Sequence, residues 1–165
     1  MSVYLLFCQP SPVPIWGRTS RERIERILGD AVHPCTADQL TDLAADDTVL
    51  LFRGDYLYDD RLVSHLAATA NILLQLDAPP GLAVAAHVPA ALAAEALALV
   101  DGAAADVTLP GVERSTPNTV TLDFQKKLRK SEPPFVLPIS AERRPALEQR
   151  LFDWSYKGVT DLVTK

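Results

Sequence analysis

Few residues in this chain have types and spacing suited to chemistry. Gly54-Asp55 follows the apolar run Thr48 to Phe52, with Arg53 between. A carboxylate just beyond the carboxyl end of a buried strand stands where α/β sheets bind ligands. It suits magnesium, which prefers carboxylate and phosphate oxygens. An aspartate in such a turn also serves structure alone, by bonding its own backbone or capping the next helix. Asp59 and Asp60 read as caps of a helix that starts there. Arg18, Arg21 and Arg23 alternate with Glu22 and Glu25, a pattern that fits a solvated helix start as well as a phosphate patch. Lys126, Lys127, Arg129 and Lys130 form the densest basic cluster, suited to a phosphate, to anionic lipid headgroups or to a solvated turn. Trp16 and Trp154 read as core or interface aromatics, and Trp16 is also a candidate to stack on a base. His33, His65 and His87 fall in separate elements, away from any recognisable nucleophile motif, and read as surface or packed residues. Cys8 and Cys35 border apolar runs and read as buried thiols of a reducing compartment; no Cys or His pair has zinc spacing.

The chain that must position these groups has 165 residues, 48% of them hydrophobic and 22% charged, enough for one domain with one sizeable core. Its net charge of −5 and pI near 5.1 argue against nucleic acid as a main partner, since phosphate-backbone binding needs clustered cations. A small nucleotide needs only a local basic pocket. No signal peptide is evident, because Ser2 to Phe7 is only a strand's length of apolar residues. The apolar stretch Gly81 to Val100 contains His87, Pro89 and Glu95 and reads as a strand, a turn and an Ala-rich helix rather than a membrane span.

Strands are expected at Val3 to Cys8, Ala31 to Cys35, Thr48 to Phe52, Asn71 to Leu76 and Leu82 to Val88, with further short ones at Val107 to Leu109 and Thr119 to Leu122. Helices are expected from Thr19 to Leu28, where Thr19 and Glu22 form a capping box, from Thr36 to Ala44, with Thr36 and Gln39 as a second box, and from Asp60 to Ala68. Another should open at Pro89 and run to Val100, one or two helical turns should fall in Phe124 to Lys130, and a last helix should open at Pro145, interrupted at Gly158. Gln9 to Gly17 holds three prolines and must be a loop. Alternating strands and helices predict an α/β fold, a mainly parallel sheet covered on both faces, with ligands beyond the strands' carboxyl ends. That singles out the loop after Cys8 and the turn at Asp55.

Two segments resemble the sugar-nucleotide and cytidylyltransferase superfamily. Ile15-Trp16-Gly17-Arg18-Thr19-Ser20-Arg21-Glu22-Arg23-Ile24 is similar to the stretch that starts that family's first helix, and Val49-Leu50-Leu51-Phe52-Arg53-Gly54-Asp55 to its strand ending in Gly-Asp. Leu128 to Phe135 and Leu151 to Lys165 resemble the junction between a cytoplasmic cytidylyltransferase-like domain and a membrane CDP-alcohol phosphotransferase. The resemblance implies a three-layer Rossmann-like sandwich of the nucleotidyltransferase type over residues 1–150. It implies a juxtamembrane junction over residues 151–165, and a membrane phosphotransferase domain as the partner following Lys165, at the cytoplasmic face of the membrane. In active members the aspartate matched by Asp55 binds the metal shared with the nucleotide phosphates. Arg18, Gly54, Asp55 and Lys130 are then the candidate site, with Mg2+ and CTP or a CDP-alcohol as its ligands if the site is active.

The departures from that pattern matter more. Active members carry a Gly-rich loop whose backbone N–H groups cradle the triphosphate. Here Gln9-Pro10-Ser11-Pro12-Val13-Pro14 stands in its place, and proline has no N–H to donate. No lysine precedes Lys126, and the phosphotransferase signature of spaced aspartates is absent. The expectation is therefore a degenerate nucleotidyltransferase-like module with an assembly or regulatory role in phospholipid synthesis, with homodimerisation and anionic lipid as further contacts. An active CTP-dependent cytidylyltransferase and an unrelated α/β binding module are the rivals. The last would be favoured if Asp55 did not lie at a strand's carboxyl end in a mainly parallel sheet. Residues 151–165 are expected to pack poorly against their own domain, or to pack against another copy.

Overall fold

The computed structural model describes residues 1–105, 107–120 and 134–163, with side chains described as far as residue 153. The order is β1 (Val3–Cys8), α1 (Ser20–Leu28), β2 (His33–Pro34), β3 (Thr48–Arg53), β4 (Tyr56–Tyr58), α2 (Asp60–Ala68), β5 (Ile72–Gln75), β6 (Ala83–Pro89), α3 (Ala93–Asp101), β7 (Glu113–Ser115), β8 (Val136–Pro138) and α4 (Arg144–Val163). Six strands form one sheet in the order β2-β1-β3-β6-β5-β7, and β4 and β8 form a separate pair.

β1 runs parallel to β2 and β3, and β5 parallel to β7, whereas β6 runs antiparallel to both its neighbours. Five strands thus share one direction and β6 opposes them, so the sheet is mixed but mainly parallel. The reason lies in chain length: only residues 76–82 join β5 to β6, too few for the crossover that a parallel pair needs.

Period-two alternation explains the layers. Leu50 and Phe52 of β3 join Leu5 of β1, Ile24 of α1 and Leu62, Val63 and Leu66 of α2 on one face. Val49 and Leu51 point the other way, with Leu6 of β1, onto Ala93, Ala96, Leu99 and Val100 of α3. The protein is therefore an α/β sandwich with helices on both faces of the sheet. A smaller third cluster of Ile15, Leu57, Phe135, Ile139, Leu147 and Leu151 joins the β4–β8 pair to α4 and to the loop after β1.

Local signals set several boundaries. Thr19 caps α1 by accepting from the Glu22 N–H at 3.2 Å, and Asp59 caps α2 by accepting from the Arg61 N–H at 3.0 Å. The capping box at Thr36 and Gln39 forms, but it heads a 3-10 segment, Ala37–Asp42, not an α-helix. Leu40 and Leu43 both pack on the second face, and a spacing of three suits the three-residue turn. The helix expected from Pro89 starts as a 3-10 turn, Ala90–Leu92, before α3.

Other expectations are corrected. Val107 to Leu109 is not a strand; Leu109 plugs the second face cluster, and the edge strand is instead Glu113–Ser115. Gly158 does not interrupt α4, which runs through to Val163 and across residue 151 without a break. Thr119 lies in a turn and Val120 in no regular element, and the rest of that expected strand, the expected helical turns and Lys126, Lys127, Arg129 and Lys130 lie outside the described residues. Of the expected loose tail, Leu151 is buried in the third cluster and Phe152 is 53% exposed. Among the described residues, no helix is long and apolar enough to cross a membrane.

Candidate functional site

From β1 the chain first places β2 on one side and then β3 on the other, so the topological switch point lies between β1 and β3. Open α/β sheets bind ligands in the crevice beyond the carboxyl ends of such strands. Two segments meet there: the loop after Cys8 and the turn Arg53-Gly54-Asp55.

They meet closely enough to fill the crevice. The Gly54 N–H donates to the Cys8 carbonyl at 2.8 Å, extending the β1–β3 ladder past its end. The Ser11 hydroxyl donates to the Gly54 carbonyl and accepts from the Ser20 N–H at 3.1 Å. The Ser20 hydroxyl in turn donates to the Tyr56 carbonyl at 2.6 Å. A Cβ on Gly54 would overlap the carbonyl oxygen of Gln9, so only glycine permits this approach. Gln9 itself sits at φ 57, and its side-chain amide donates to the Asp101 carboxylate at 2.9 Å, tying the loop to the end of α3.

Asp55 is equally engaged. Arg53 grips it with a bidentate pair, Nε to Oδ1 at 2.9 Å and Nη2 to Oδ2 at 2.8 Å, in side chains only 15% and 23% exposed. That pair raises the basicity of Arg53, whose guanidinium also lies over the Tyr56 ring at 5.4 Å from its centre. The Asp55 carbonyl accepts from the Ile139 N–H at 2.8 Å, anchoring the turn to the segment after β8. Burial, reinforced by Asp101, pushes the neighbouring Cys8 thiol up to about 12, so it stays protonated and is no nucleophile.

The structure thus brings Gly54 and Asp55 to the switch point but leaves Arg18 apart. Arg18 is exposed at the base of a two-residue hairpin, its backbone paired with Ile15 at 2.9 and 3.2 Å. No hydrogen bond or ion pair joins it to Asp55 among the described residues. Lys130 lies outside the described residues. Trp16 and Gly17 form the hairpin's tip at φ 48 and 72, the type I′ geometry that favours Asn and Gly. A tryptophan in the left-handed region costs about 1–3 kcal/mol, and Trp16 is nevertheless 48% exposed. It is not the core residue that its type suggests.

Sequence reasoning passed over Arg53, Ser11 and Gln9. Two of them had a signal: Arg53 lies two residues before Asp55, and Ser11 is the lone hydroxyl among three prolines. The bland readings of Asp59 and His87 hold. Asp59 is fully buried, caps α2 and is clamped by Arg61 at 2.8 Å. His87 is buried between the Leu66 carbonyl at 2.7 Å and the Thr48 hydroxyl at 2.9 Å, and burial lowers its pKa so that it stays neutral. Both cysteines are free thiols.

The chemistry open to this crevice is limited. A magnesium ion at Asp55 would have to displace a bidentate guanidinium, and among the described residues no group of three acidic, His or Cys side chains is placed to share it. A nucleotide phosphate would find Pro10, Pro12 and Pro14 without N–H groups and the Gly54 N–H already given to Cys8. The residues present do not fit a magnesium-nucleotide complex. No protein-family model matches the chain, and no curated protein and no solved structure matches it.

Proposed function

We propose that this protein is a nucleotidyltransferase-like module that has lost its nucleotide chemistry and serves assembly or regulation, as the cytoplasmic part of a CDP-alcohol phosphotransferase in phospholipid synthesis. The observation that carries the loss of chemistry is the self-filled switch point. The Gly54 N–H and the Asp55 carboxylate, the groups placed to meet a phosphate or a metal, already have partners within the chain: Gly54 with Cys8, Asp55 with Arg53. The nucleotidyltransferase likeness is supported by the place of Asp55, two residues beyond β3 at the carboxyl edge of a mainly parallel sheet. The link to a membrane phosphotransferase rests on the resemblance of the residues around Leu128 to Phe135 and Leu151 to Lys165. The continuous α4 supports it as a rod able to couple this domain to whatever it is joined to.

Isothermal titration with CTP and with CDP, each with magnesium, tests the reading. The expected result is no binding at millimolar ligand. Binding that disappears in Asp55→Ala would overturn it in favour of an active cytidylyltransferase, with Asp55 exchanging Arg53 for the metal.

A further inference from the structure

We propose that the Trp16 hairpin is a docking point for an anionic lipid surface. The hairpin is built to present its tip. Ile15, at its root, is only 1% exposed and locked in the third cluster, and its carbonyl accepts from the Arg23 guanidinium at 3.2 Å. The Trp16 N–H donates to the Glu148 carboxylate on α4 at 3.1 Å, and Arg144 holds the same oxygen at 3.1 Å. The indole therefore projects from a fixed support in a backbone conformation that tryptophan rarely adopts. A strained, exposed aromatic held in place on several sides marks function rather than packing.

Charge decides what covers it. Beside the hairpin, residues 18–26 carry Arg18, Arg21, Arg23 and Arg26 against Glu22 and Glu25, whereas at the start of α4 Arg143, Arg144 and Arg150 are balanced by Glu142, Glu148 and Asp153. Two long stretches are acidic: residues 27–52 hold Asp30, Asp38, Asp42, Asp46 and Asp47 without one Lys or Arg, and residues 62–113 also lack both. Charge is thus unevenly spread along the chain, whose net charge is −5. An anionic surface would attract the arginines of residues 18–26 and repel the acidic stretches, which orients the hairpin toward it. Phe152, one helical turn beyond Glu148 and 53% exposed, adds a second aromatic near the tip. Trp is suited to the headgroup level, where its ring meets apolar chains and its N–H stays wet, while Arg18 at the base of the hairpin reaches lipid phosphates. The tip is convex, so it needs a surface rather than a pocketed small molecule. This inference is independent of the lost nucleotide chemistry.

The test is co-sedimentation of the full chain with vesicles of phosphatidylcholine alone and with about one third phosphatidylglycerol, in low and high salt. Binding is expected only to the anionic vesicles, weakening at high salt, with a blue shift of Trp16 emission in a Trp154→Phe background. Trp16→Asn removes the indole while suiting the turn better, so it should stay folded, melt at a higher temperature and lose at least tenfold in partitioning. Arg18→Glu should lose several-fold. Absence of binding, equal binding to neutral vesicles, or unchanged partitioning of Trp16→Asn would each overturn the proposal. So would a Trp16-dependent dimer in sedimentation that ignores vesicles.

Discussion

Asp55 and Asp59 stand four residues apart, and each is held by an arginine two positions away, yet they do different work. Asp59 is wholly inside, with the Arg61 side chain 13% exposed. It accepts from the Arg61 N–H to cap α2, and its own N–H donates to the Phe135 carbonyl at 2.9 Å. Asp55 keeps 23% of its side chain exposed and caps nothing, and its partner Arg53 lies over Tyr56 at the crevice. The first pair is part of the fold's closure, since a buried charge without its partner is costly. The second is a plug at the edge. The contrast teaches that an Asp–Arg pair is structural or functional by its depth and by what else depends on the carboxylate, not by its residues.

The largest effect should come from the deeper pair. Asp59→Ala removes the bidentate carboxylate partner of a largely buried guanidinium and the cap of α2, which should lower unfolding free energy in urea by about 3–5 kcal/mol. A loss as small as that at Asp55 would break the distinction. Next comes Gly54→Ala, which drives a methyl group into the Gln9 carbonyl and should cost about 1–3 kcal/mol. If it melts like the native protein, the loop does not pack against the turn as described. Asp55→Asn should cost about 1 kcal/mol or less, because the pair is partly solvated.

The smallest effect is a gradual one with pH. His87 titrates below its ordinary value because it is buried, with the hydrogen bonds to Leu66 and Thr69 opposing that. Above about 6.5 both folded and unfolded chains leave it neutral; below that, the unfolded chain takes up a proton that the native one refuses. The melting temperature should therefore fall as pH drops from 7 through 6. His87→Gln should flatten that slope, and an undiminished slope would assign it to other groups.

Much of the frame was legible because it is local. β1 and α2 occupy the expected residues, since a short apolar run and a capped amphipathic repeat each carry their own period. Asp55 at the carboxyl end of β3 was legible too, from an apolar run ended by Gly-Asp. β4 was hidden, because three residues that pair only with Val136–Pro138, far along the chain, have no period to detect. β7 was hidden likewise, its exposed Glu113 and Arg114 showing no apolar pattern.

By itself the sequence determined the α/β class, the two-faced strands, the caps and the missing N–H donors at Pro10, Pro12 and Pro14, since each follows from residue type and near neighbours. Tertiary structure alone decided that β6 runs against the sheet, that Arg53 rather than solvent holds Asp55, that Ser11 bridges to Gly54, and that Trp16 faces outward. These depend on which distant backbone edge or charge arrives at each place. Such contacts are set by chain connectivity and close packing of the whole, not by any pattern within reach of a few residues.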